Sequence, residues 1–191
     1  HMLKSWSVRL TAFAGLFCAQ MAAAQVEVQV VRNQTAGLIL AAKISEDIAP
    51  GDYEALLKGI IANPGKHARK VVILDTIGGS VQEAIKMGRL LRETGFDTLV
   101  PASAVCQGAC VYLLAAGRIK TVRGHVGVHR PYYPEGDSAQ ARGNTKGSSY
   151  NAQAYFREMN IPSSLVETMQ ATAPAKMRVL SAQELSQYRL N

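Results

Sequence analysis

Cys106 and Cys110, His129, Asp75, and Ser80 behind the pair Gly78-Gly79 are the side chains whose types and spacing could do chemistry. His129 has the side-chain type of a general base, but a base needs a nucleophile beside it. Ser80 follows two glycines where a helical pattern begins, so the expected role is a helix cap rather than an attacking group. Asp75 closes the apolar run Val71-Val72-Ile73-Leu74 and is placed to orient the glycine turn. The two cysteines leave two readings open. Four residues apart within a regular helix, their Cβ atoms would lie ~5–6 Å apart, beyond the ~3.8 Å a disulfide prefers. With Cys106 outside the helix a bridge becomes possible. Alternatively Cys110, near a helix N-terminus, is a nucleophile of lowered pKa. His67 and His125 have no carboxylate or Cys at ligand spacing, so neither a metal nor a cofactor is expected.

The elements that must position these groups repeat one scheme. Val71 to Asp75 reads as a strand buried on both faces. Thr76 to Ser80 breaks it, and a helix follows with Ala84, Met87, Gly88, Leu90 and Leu91 at helical spacing. The second unit is Thr98 to Val100 as strand, Pro101 to Gly108 as turn, and Ala109 to Ala116 as apolar helix. This is an α/β pattern. Two turns at the ends of adjacent parallel strands, each opening a helix, make a place where main-chain N–H groups face a developing anion.

Three blocks in this order carry a family resemblance: Asp75-Thr76-Ile77-Gly78-Gly79-Ser80-Val81, Val111-Tyr112-Leu113-Leu114-Ala115-Ala116-Gly117, and Gly127-Val128-His129-Arg130-Pro131. They resemble the proteolytic subunit of Clp protease, and still more its periplasmic relatives in the Clp/crotonase superfamily, from roughly Gly37 to the C-terminus. The resemblance implies a β-β-α superhelix in a single domain with a helical C-terminal region, and a serine-peptidase site. The periplasmic relatives usually read Cys-x-Ser-Ala-Cys where this chain reads Cys106-Gln107-Gly108-Ala109-Cys110. The nucleophile position therefore falls on Gly108, the base position on His129 and the Asp position on Met177. The oxyanion donors fall on Gly79 and Ala109. A site without serine or aspartate implies an inactive peptidase fold that binds peptide or unfolded polypeptide, or serves as a homo-oligomeric scaffold. The alternatives are an ATP-independent periplasmic serine endopeptidase whose serine is replaced by glycine, and acyl transfer through the oxyanion hole alone. Export to a compartment poor in coenzyme A argues against the last.

Export itself is read from the N-terminus. His1-Met2 has the form of a cloning scar. Lys4 and Arg9 precede the uncharged run Leu10 to Met21, and Ala22-Ala23-Ala24 offers a cleavage site. This is the pattern of a signal peptide over residues 1–24, leaving a domain over 25–191 in the periplasm or outside the cell. The run is shorter than the ~20 residues that span a bilayer, and an uncleaved membrane anchor is the alternative. Of 21 basic residues the signal holds Lys4 and Arg9, which leaves 19 basic against 14 acidic and a formal charge of +5. The basic residues form no run and have no interleaved aromatics, so no nucleic-acid partner is expected. About 167 residues suit one domain.

Within that domain Val26 to Val31 alternates as an edge strand and Leu38-Ile39-Leu40 continues as a buried one. Ser45 to Gly51 reads as a turn. Tyr53, Leu56, Leu57, Ile60 and Ile61 form one helical face, stopped by Asn63-Pro64-Gly65. Residues 131–147 are polar with Pro and Gly, as expected of a functional or mobile loop, and the resemblance implies that this insert is a handle or lid. Helices resume over Tyr150 to Met159 and Ser163 to Thr172. Ser181-Ala182-Gln183-Glu184 has the capping-box pattern that opens a last helix.

Overall fold

Strand β3 (Arg69–Gly79) is the axis of the sheet, because its two halves have different neighbours. The computed structural model describes residues 25–131 and 151–191. The expected signal peptide at 1–24, nearly all of the expected insert at 131–147 and the expected helix start at Tyr150 lie outside the described residues. Among the described residues are eight strands and six helices in one mixed α/β domain.

β1 (Val26–Asn33) lies at one edge, antiparallel to β2 (Gly37–Ile48). β2 runs parallel to β3 along its whole length. The first half of β3 pairs on its other side with β4 (Asp97–Val100), which pairs with β6 (Lys120–Val122). Further along, Thr76 of β3 meets Cys106 of β5 (Val105–Gln107). β5 pairs with β7 (His125–Val128), and β8 (Arg178–Val179) closes that side antiparallel. The sheet thus forks at β3.

Helices fill the spaces between strands. α1 (Asp52–Ile61) begins at Gly51, which adopts the left-handed conformation. Its first amides are satisfied from another element: buried Glu83 accepts from Gly51 N–H at 3.2 Å and Tyr53 N–H at 2.8 Å. α2 (Val81–Thr94) is capped by Ser80, whose hydroxyl accepts from Glu83 N–H, and ends at left-handed Gly95. Ser80 is therefore a cap, as its position predicts. α3 (Cys110–Ala115) is short and wholly buried. α4 (Ala152–Glu158), α5 (Ser163–Gln170) and α6 (Ala182–Gln187) follow, the last with the capping box at Ser181 and Glu184. The core joins Leu40, Ile44 and Leu74 of the sheet to Leu56, Met87 and Leu91 of the helices. Tyr112, Tyr155 and Phe156 stack beside them with centroids 4.7 to 5.5 Å apart.

Two expected turns are strands instead. Ser45 to Gly51 is not a turn throughout, because β2 continues to Ile48 past a register shift at Ser45 and Asp47, where Glu46 has φ 64°. That extension gives Gly78 and Gly79 pairing partners, so the glycines end β3 rather than leave it. Likewise Pro101 to Gly108 contains β5, held between β3 and β7.

Candidate functional site

Gly108 is the joint between strand and helix. It follows β5, precedes α3 by one residue, and adopts φ 56° in the left-handed region. A sharp strand-to-helix turn of this kind is how nucleophile elbows expose a side chain. Its amide donates to Gly127 O of β7 at 3.0 Å, which sets the turn against the strand that leads into His129. A Cβ built on Gly108 would lie 2.9 Å from His129 Nε2 and 3.4 Å from its Cε1. The structure thus brings positions 108 and 129 together, with no oxygen or sulfur on the first.

His129 is oriented by main chain. Its Nδ1 lies 2.7 Å from Arg130 O. A carbonyl only accepts, so Nδ1 donates and Nε2, facing Gly108, is the acceptor. This is the tautomer a base needs. The Arg130 carbonyl escapes sequence reasoning because main-chain groups carry no residue signature. It is held in turn by Arg130 N–H donating to Thr172 O at 2.7 Å.

β7 pairs Gly127 with Val179 and Val128 with Arg178; His129 follows the last of these pairs on one strand and Met177 precedes it on the other. Its thioether lies over Gly127, where a Cβ would meet Sδ at 2.6 Å. Met177 can neither accept a proton nor orient an imidazole by hydrogen bonding.

The glycine pair divides its tasks. Gly78 is the one that faces the site: a Cβ there would lie 3.3 Å from Gln107 O and 3.5 Å from Ala109 N. A Cβ on Gly79 would instead run into the Ile48 backbone. Period two along β3 carries this signal, since Val72, Leu74, Thr76 and Gly78 are all buried. The Gly78 N–H is occupied, donating to Thr76 Oγ1 at 3.1 Å, and fully buried Thr76 thereby shapes the strand end. The Ala109 N–H has no acceptor among the described residues. Asp75 does not orient the glycines: its Oδ1 accepts from Val105 N–H at 3.1 Å and ties β5 to β3.

Cys106 and Cys110 form a disulfide, with Cα atoms 5.2 Å apart. Cys106 lies in β5 and Cys110 is the first residue of α3, the placement a bridge requires. The alternative of a thiolate at Cys110 is overturned, because its sulfur is bonded. His67 and His125 sit in separate loop and strand positions, and no group of three His, Cys, Asp or Glu among the described residues could hold a metal.

The arrangement is an α/β domain in which His129 faces Gly108 at the turn between β5 and α3. No family model and no curated protein matches this chain. Among solved structures it is similar to a serine-to-alanine mutant of 1510-N, a membrane-bound stomatin-specific protease. The TM-score is 0.57 at 17% identity, over 80% of this chain and 75% of that one. At that identity the likeness defines the fold, which is that of a protease.

Proposed function

We propose that this chain is an exported, Clp-protease-like protein of the β-β-α superhelical type whose serine-peptidase site has lost its nucleophile. It binds an extended peptide or an unfolded polypeptide segment without cleaving it, as a homo-oligomer. The observation that carries this reading is the 2.9 Å between a Cβ at 108 and His129 Nε2. A serine there would face an imidazole already in the acceptor tautomer, and glycine is what the chain has instead. Ala109 offers an amide for a peptide carbonyl, with Gly79 as the second donor of the proposal. The solved neighbour's name, a protease specific for stomatin, supports a polypeptide as the partner class.

The test uses a carboxymethylated, permanently unfolded polypeptide with the mature domain. The expected result is saturable binding and no cleavage products on prolonged incubation. Cleavage abolished by His129→Ala would contradict loss of the nucleophile, and absence of binding would contradict the peptide-binding role.

A further inference from the structure

We infer that the Cys106–Cys110 disulfide is the clamp that holds the Gly108-Ala109 turn in its site-forming shape, so that the site is complete only in the oxidised chain. The inference deepens the binding reading above and rests on it for its biological meaning.

The bridge encloses only Gln107, Gly108 and Ala109, the residues that face His129 and Gly78. The elements that otherwise restrain them are short. β5 is three residues long, meeting β3 at the single pair Thr76 and Cys106 and β7 at the pairs of Val105, Cys106 and Gln107 with His125, Val126 and Gly127. α3 is six residues long, begins at Cys110 behind Ala109, which offers no side-chain cap, and so starts without the support that helix ends of this length need. Gly108 is held in a left-handed conformation by two main-chain hydrogen bonds, its N–H donating to Gly127 O and its carbonyl accepting from Val111 N–H. The covalent link from strand to first helical residue takes the place of the missing cap. Meanwhile the long pairing of β2 with β3 and the α2 helix do not depend on it.

Both cysteines are fully buried in the native state. A reductant therefore reaches the bridge only through opening of the fold, and site completion is set when the chain first folds. Closure is thiol–disulfide exchange: the two thiols lose two protons and two electrons, and a disulfide of the oxidising compartment is reduced to two thiols. A chain folding where thiols stay reduced would keep the sheet and leave the turn loose.

Amide hydrogen exchange of the oxidised chain against Cys106→Ala/Cys110→Ala tests this. Exchange at Gln107, Gly108 and Ala109 should quicken about tenfold or more, while Val72 and Leu74 of β3 and Leu91 of α2 stay within about twofold. Wild-type chain refolded in dithiothreitol keeps both side chains and should reproduce the pattern. Unchanged exchange at the turn, or equal acceleration across the sheet, would overturn the clamp. So would a chain that fails to fold in both forms. In a Gly108→Ser background, removal of the bridge should slow fluorophosphonate labelling about tenfold or more at unchanged fold; an unchanged rate also overturns it. An oxidised chain that binds no unfolded polypeptide refutes the binding reading alone, since the exchange comparison needs no ligand.

Discussion

Position 108 decides the chemistry through geometry and side-chain type together. An L side chain at φ 56° costs about 1–2 kcal/mol, and its Cβ would press the tip of the His129 ring, which must swing back by a few tenths of an ångström. Gly108→Ser should therefore fold with a modest drop in melting temperature, read by calorimetry. Non-folding would mean the turn accepts only glycine. Met177→Asp added to that variant places a carboxylate at the expected Asp position, one residue before the Arg178 that pairs with Val128. The labelling rate of the pair should exceed that of Gly108→Ser, because a missing Asp costs triad enzymes roughly 10⁴ in kcat and triad members act as a unit. The Arg130 carbonyl already supplies part of that orientation, so the gain should fall short of the full factor. No gain would show that Met177 is not the Asp position. The nearness of positions 108 and 129 was expected from the blocks that carry the family resemblance, and Met177 followed from that resemblance alone. Gly78 was within reach through period two, whereas the Arg130 carbonyl left no trace in residue types.

Elements here are joined by side chains reaching across them. Glu83 of α2 caps α1 and pairs with Lys86 at 3.1 Å. Glu83→Ala strands two amides at a helix start and should cost about 2–3 kcal/mol in urea unfolding; a loss below the error of the measurement would deny the cap. Asp52, beside it, has a carboxyl pushed above its usual range, first by burial and also by the Glu83 charge, against a lowering bond from Ala49 N–H. A folded pKa above the unfolded one gives stability that is present below the unfolded value and lost as pH rises through the folded one. Glu83→Gln removes the repulsive charge, so the Asp52 midpoint followed by NMR should fall; a fixed midpoint would show burial alone at work. Between α2, α3 and α4, Tyr155 OH donates to Tyr112 O at 2.6 Å and lies against Gly88. Burial pushes the phenol well above its ordinary range, so it stays a neutral donor. Tyr155→Phe should cost about 1–2 kcal/mol, and Gly88→Ala more, about 2–4 kcal/mol, because its methyl displaces the ring as well. The reverse order in thermal unfolding would mean that the hydrogen bond outweighs the packing. The helices α1 to α6 were readable from period and caps. The short strands β5 to β8 were not, since two to four residues carry too little pattern and exist only because a neighbour pairs with them.

For the whole molecule, the bridge and the sheet play separate parts. Closing a loop this short removes little denatured-state entropy, about 2 kcal/mol on the chain-entropy account, so most stability comes from the shared core of sheet and helices. The proposed oligomer is an expectation for the domain over 25–191 as a whole. Sedimentation velocity at micromolar concentration should show a species larger than one chain; a monomer throughout would remove the scaffold role.

The proposed peptidase frame keeps a base position at His129 and lacks both its nucleophile, at Gly108, and its aspartate, at Met177. Fluorophosphonate labelling of the oxidised domain, resolved by intact-protein mass, tests it most directly. The wild-type chain should remain unlabelled, Gly108→Ser should gain one adduct, and Gly108→Ser/His129→Ala should lose it. A folded Gly108→Ser that stays unlabelled, or a wild-type chain that takes the label, would contradict the account.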